Sequence, residues 1–172
     1  GICYLESGQF NESVASYKNA LKLEPDCVEG HFNLGNSYQA MKAFESAITS
    51  YKQVLRINPS YEKAYFNLGI IYTDLAQPDL AILNYKQALR INPNYSEAHN
   101  NLGTVLVGLD KLTEAIKHYE IALKIKPSLI ELHLLLADLY KATEKFELAI
   151  TSYSKALELD PGCAEIHYNL GS

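Results

Sequence analysis

The chain has 172 residues, 48% of them hydrophobic and 20% charged, with a formal net charge of −5. That acidic balance argues against general nucleic-acid binding, which favours a basic surface, and no apolar run approaches the ~18 residues of a membrane span. Three irregularly placed cysteines, Cys3, Cys27 and Cys163, point to a reduced, intracellular setting, cytoplasm or nucleus, rather than an oxidising one.

Residues 1–27 read as the end of a repeat unit. Tyr4, Ser13, Tyr17, Ala20, Leu21 and Pro25 each head a column that returns with a period of 34 residues. The first full unit spans 28–61. His31, Leu34, Gly35 and Tyr38 follow one helical stripe, and Ala47, Tyr51, Val54 and Leu55 follow a second. The spacing predicts helix A over Val28 to Ala40 and helix B over Glu45 to Ile57, with Pro59 ending the second because proline cannot continue a helix without loss. Units 62–95, 96–129 and 130–163 repeat this order, and 164–172 begin another. The proline column runs Pro25, Pro59, Pro93, Pro127 and Pro161; the tyrosine column runs Tyr17, Tyr51, Tyr85, Tyr119 and Tyr153. The expected fold is all-α: antiparallel helix pairs stacked as one continuous array, 1–172.

A glycine column, Gly35, Gly69 and Gly103, becomes Ala137 and returns at Gly171. A mid-helix glycine costs roughly 1 kcal/mol against alanine, so packing must offset it. The column demands smallness rather than positive φ, since alanine serves once. The expectation is that it lets helix A approach helix B opposite the Ala47, Ala81, Ala115 and Ala149 column.

Together the Leu-Gly, Tyr, Ala, Tyr, Ala and Pro columns resemble the tetratricopeptide repeat (TPR) over the whole chain. The chain departs from that pattern where a large aromatic often opens helix A. His31, Tyr65, His99, His133 and His167 stand there, and histidine, the smaller filler, implies looser packing. The resemblance implies a right-handed superhelical solenoid with helix A lining a concave groove. It also implies a non-catalytic scaffold that binds an extended or helical segment of a partner protein.

Family geometry assigns groove residues unit by unit. Glu29, Phe32, Asn33, Asn36 and Gln39 come first, then Lys63, Phe66, Asn67, Ile70, Thr73 and Asp74. Glu97, Asn100, Asn101, Thr104 and Val107 follow, then Glu131, Leu134, Leu135, Asp138 and Lys141, and last Glu165, Tyr168 and Asn169. Asn33, Asn67, Asn101 and Asn169 form an asparagine column broken at Leu135. An amide donates and accepts at once, so such a ladder suits the backbone of an extended peptide; asparagine also simply suits a half-buried helix face. The Asn-Leu-Gly pattern resembles the TPR region of protein O-GlcNAc transferases, which implies an alternative role as the substrate arm of a larger enzyme. Phe32, Phe66 and Leu134 either anchor a partner or are covered by neighbouring helices.

The groove set is acidic, and basic residues gather on helix B at Lys18, Lys52, Arg56, Lys86, Arg90 and Lys124. Helix dipoles explain much of this, yet the net field favours a neutral or basic partner. Lys63, Asn36 and Asn67 match part of the carboxylate clamp of TPR co-chaperones, but Phe32, Phe66, Asn100 and Leu134 replace its first lysine. The histidine column reads as packing, since successive units sit too far apart to share a metal. No phosphate-binding glycine loop and no nucleophile–base constellation appears, so no cofactor, metal or catalytic residue is expected. Both ends fall inside a helix-A pattern, which reads as a piece of a longer protein. The two half-helices are also complementary, so head-to-tail stacking between molecules would give filaments.

Overall fold

The computed structural model describes residues 9–161. Among them are nine α-helices and no strand. Helices α1 (Phe10–Leu23), α3 (Phe44–Ile57), α5 (Pro78–Ile91), α7 (Leu112–Ile125) and α9 (Phe146–Leu159) are the B type. Helices α2 (Val28–Ala40), α4 (Glu62–Asp74), α6 (Ser96–Gly108) and α8 (Ile130–Ala142) are the A type. The predicted span of α2 is met at both ends, whereas α3 begins at Phe44, one residue before the expected Glu45.

Local chemistry explains where the helices stop. Asn58 and Asn92 end α3 and α5 in extended backbone, at φ −128° and −126°. Each precedes a proline, whose ring pushes the residue before it out of the α region. The A-to-B turns use a different device. Lys42, Ala76, Asp110 and Glu144 adopt φ of 56°, 53°, 57° and 58°. This left-handed residue lets the amide of Ala43 reach back to the carbonyl of Tyr38 at 2.9 Å, and the same bond recurs from Gln77 to Tyr72, Lys111 to Leu106 and Lys145 to Tyr140. Such a closure satisfies carbonyls that the helix end would otherwise leave unpaired. Glycine is the residue best suited to this conformation. Lys42→Gly and Glu144→Gly are therefore expected to stabilise the chain by about 0.5–1 kcal/mol each. Thermal unfolding would show a raised midpoint; an unchanged or lowered midpoint would mean that the turns carry no strain.

The helices fall into two compact units, residues 1–93 with α1–α5 and residues 94–172 with α6–α9. In the first, α2 pairs with α3 and α4 with α5, while α1 packs on α2 and α3 on α4. Its core joins Ala47, Tyr51 and Val54 of α3 to Ala64, Leu68 and Ile71 of α4. In the second, α6 pairs with α7 and α8 with α9, and α7 packs on α8. Leu102, Leu106, Ala115, Tyr119, Ala122 and Leu136 are among its buried side chains.

The glycine column has a different partner from the one expected. A Cβ on Gly35 would lie 2.6 Å from Cε1 of Tyr51; on Gly69 and Gly103 it would lie 2.5 Å from Cε1 of Tyr85 and Tyr119. The space left by glycine is thus filled by the tyrosine ring rather than by the Ala47 side chain, which is buried in the same core. Two columns that the sequence presents as independent, Gly and Tyr, are one packing unit.

Where α1 packs on α2, Ser13 takes the place of the small alanine and hydrogen-bonds Ser37 at 2.8 Å, which satisfies both buried hydroxyls. Ala20, grouped by period with the buried Val54 and Ala88, is exposed.

Candidate functional site

Each unit presents an A-helix face. In the first, the tyrosine that fills the glycine gap delivers its hydroxyl to that face. The Tyr51 hydroxyl lies 2.7 Å from Asn36 Oδ1 and 2.7 Å from Gln39 Oε1, and it accepts a hydrogen bond from Asn67 Nδ2 at 3.0 Å. Asn67 Nδ2 also donates to Asn36 Oδ1 at 3.0 Å. One phenolic proton cannot serve two acceptors, so turning the Gln39 amide to offer its nitrogen satisfies the cluster. The network ties α2, α3 and α4 together. Tyr85 makes the simpler version in the next pair, bonding Thr73 Oγ1 at 3.2 Å.

The predicted residues of this unit take distinct places. Asn36 and Asn67 are brought together with Gln39, while the Asn33 side chain has no partner among the described residues. Phe32 is half-buried, with its ring 5.7 Å from that of Tyr51 and 5.1 Å from that of Tyr61; Phe66 lies 6.0 Å from Tyr85. Both rings therefore rest on tyrosines and keep one edge toward solvent. Glu29, Lys63, Thr73 and Asp74 are exposed.

In the second unit, Tyr119 bonds Thr104 Oγ1 at 3.0 Å, and the Tyr153 hydroxyl donates to Asp138. Glu97 pairs with Lys126, and both side chains are about half exposed. That bond, with help from the residue's own backbone amide, holds the Glu97 carboxyl below its ordinary value. Glu131 and Asp138 are exposed, and Asn100 and Asn101 half-buried. The Asn101 side chain has no partner among the described residues. Asn169, with Glu165 and Tyr168, lies outside the described residues. The tyrosine hydroxyls were absent from the expected set. Their column was visible, but nothing in a periodic pattern tells which end of a buried ring emerges at the face.

The histidine column performs packing and loop work. His31 Nε2 lies 2.8 Å from the carbonyl of Pro25, and His133 Nε2 2.9 Å from that of Pro127, so each ring fastens the turn before its helix. His99 instead meets His118, Nδ1 to Nδ1 at 2.9 Å. An open hollow of about 370 Å³ lies beside His31, lined also by Leu34, Tyr38 and Glu45. Among the described residues no three potential metal ligands converge, and no helix is long and apolar enough to cross a membrane.

Burial raises the phenol pKa of Tyr51, Tyr119 and Tyr140; Asn67 and Thr104 partly oppose it at the first two, and Glu120 adds to it at Tyr140. The fold thus favours the neutral phenols. Their contribution to stability is complete below the unfolded value near 10 and is lost as pH rises from there. The urea midpoint should hold steady to about pH 9 and then fall. A midpoint that stays level to about pH 11 would refute this.

Comparison with known proteins follows the same lines. A TPR repeat model matches residues 2–42 and 137–172. A tetratricopeptide repeat model matches 28–61 and 62–95, and another matches 84–117. No curated protein sequence matches the chain. Among solved structures, MamA is 27% identical over 92% of each chain, with a TM-score of 0.84. YrrB, described as a TPR protein with an unusual peptide-binding site, is 21% identical, covering 99% of this chain and 88% of its own, at a TM-score of 0.77. PilF of Pseudomonas aeruginosa is 20% identical, covering 96% of this chain and 76% of its own, at 0.83. These last two likenesses speak to the fold alone. With repeat models spanning 2–117 and 137–172, and with helix pairs closed by tyrosine on glycine, the chain belongs to the tetratricopeptide-repeat family.

Proposed function

We propose that the protein is a non-catalytic scaffold that holds an extended or helical segment of a partner protein against its A-helix faces. The observation that carries this reading is the Asn36–Tyr51–Asn67 cluster of the first unit, with the Asn33 amide, which has no partner among the described residues. It offers preset donors and acceptors of the kind a peptide backbone needs. In the second unit the Asn101 amide likewise has no partner among the described residues, and Glu97 and Lys126 cancel one acid against one base. Glu29, Asp74, Glu131 and Asp138 outnumber Lys63 and Lys141 among the exposed groups, which favours neutral or basic segments.

The test is the double substitution Asn67→Ala with Asn101→Ala, measured against a library of extended peptides. Affinity should fall across the library regardless of peptide sequence, and unchanged affinity would remove the reading. Neutral and basic peptides should outbind acidic ones, with a gap that narrows as salt rises; the reverse order would defeat the charge component. The role of a substrate arm in an O-GlcNAc transferase-like enzyme is distinguished by a glycosyltransferase domain in the same gene product. Head-to-tail self-association through the end segments would appear as concentration-dependent sedimentation, and a strictly monomeric species would exclude it.

A further inference from the structure

The A-helix faces of the two units differ around the central tyrosine hydroxyl. In the first unit, Asn36, Gln39 and Asn67 close around the Tyr51 hydroxyl. Two repeats later the period puts Thr104, Val107 and Leu135 at those positions, around Tyr119. Two of the three amides have become aliphatic, and the third a short hydroxyl that reaches the tyrosine at 3.0 Å. The hydrogen-bonded floor is gone. In its place is a hollow of about 190 Å³ bounded by Thr104, Val107, Tyr119, Leu135, Asp138 and Leu139. Leu135, which interrupts the asparagine column, is 48% exposed.

We propose that this hollow is a specificity pocket for one apolar side chain of the partner segment, of leucine, methionine or phenylalanine size, with a lysine or arginine next to it in the bound segment. The proposal rests on the scaffold reading above and deepens it. Size supports it: a void of roughly 150 Å³ lined by apolar groups already admits a benzene ring. Solvent-facing Leu135 and Val107 gain by burial under such a side chain. Charge selects the neighbour. Asp138 stands at the rim with a carboxylate that accepts the Tyr153 hydroxyl, and no cation pairs with it among the described residues. Glu131 lies two turns earlier on the same side of α8, also exposed and unpaired among them. Lys141 and Lys145 are the exposed bases near the C-terminal end of that helix, the Lys145 ammonium resting over the Tyr140 ring at 6.0 Å, and Glu97 is already neutralised by Lys126.

The experiment is selection from a randomised display library of extended peptides on the full chain, followed by affinity measurement with one synthesised winner. Winners should share an apolar position with Lys or Arg within two residues. Leu135→Asn, which restores the residue of the other repeats at an exposed site, should weaken the winner at least tenfold with an unchanged circular dichroism melt. Asp138→Asn should erase the basic preference and keep the apolar one. Winners without an apolar position, or equal binding to Leu135→Asn, would overturn the pocket. If such winners still lose affinity to Asn67→Ala with Asn101→Ala, the scaffold reading stands by itself. A library that yields no winner overturns both.

Discussion

Tyr85→Ala should destabilise the first unit by about 3–5 kcal/mol, the range for removing a buried aromatic ring. Tyr85 is 1% exposed, its ring lies over the backbone of Gly69 and beside Phe66, and its hydroxyl bonds Thr73. Truncation removes the ring and bares the main chain of α4 at the same point. A domain is stable by only about 5–15 kcal/mol, so the loss should be evident as a much earlier urea transition. Tyr85→Phe separates the two contributions. It keeps the ring, loses one hydrogen bond and should cost about 1 kcal/mol. If the alanine variant unfolds no earlier than the phenylalanine variant, the ring is not the element that joins α4 to α5.

The reciprocal experiment acts on the other half of the contact. Gly69→Ala places a methyl group where the Tyr85 ring now sits, with Cε1 at 2.5 Å and Cδ1 at 2.6 Å. The ring must move, but both its faces are packed. Overpacking of this kind costs about 1–3 kcal/mol, against a gain of roughly 1 kcal/mol in helix propensity. The expected net effect is a loss of about 0–2 kcal/mol. Ala137, buried in α8 at the position the period gives to glycine, shows that a pair in this chain can be built around the methyl group. Ala137→Gly should therefore also destabilise, by about 1 kcal/mol from propensity plus whatever contact the methyl makes. Denaturant midpoints of both variants decide the matter. A stabilised Gly69→Ala would mean that the ring has room to retreat.

The repeat pattern made the helices legible because each stripe is local: residues three and four apart share a face whatever lies beyond. Val28–Ala40 could be drawn from His31, Leu34, Gly35, Tyr38 and the coming turn alone. The partner of Gly35 could not. A small residue announces that something approaches closely, but not whether it is the nearby Ala47 or the ring of Tyr51, since that depends on the rotamer of a side chain on another helix. The same limit applied at the A-helix face. Asn36, Asn67 and Gln39 were readable as polar positions on helix A, yet the hydroxyl that gathers them comes from helix B. Leu135 was visible as a gap in the asparagine column. The hollow beside it also needs Val107 and Tyr119 from two other helices.

The four left-handed corners carry a practical consequence. Each holds its shape with amide protons and carbonyls alone, so the groups on Lys42, Ala76, Asp110 and Glu144 are not engaged elsewhere among the described residues. All four are solvent-facing. They are attachment points, one per repeat, where a dye, a biotin or a tether can be grafted without disturbing either the hydrophobic interior or the A-helix faces.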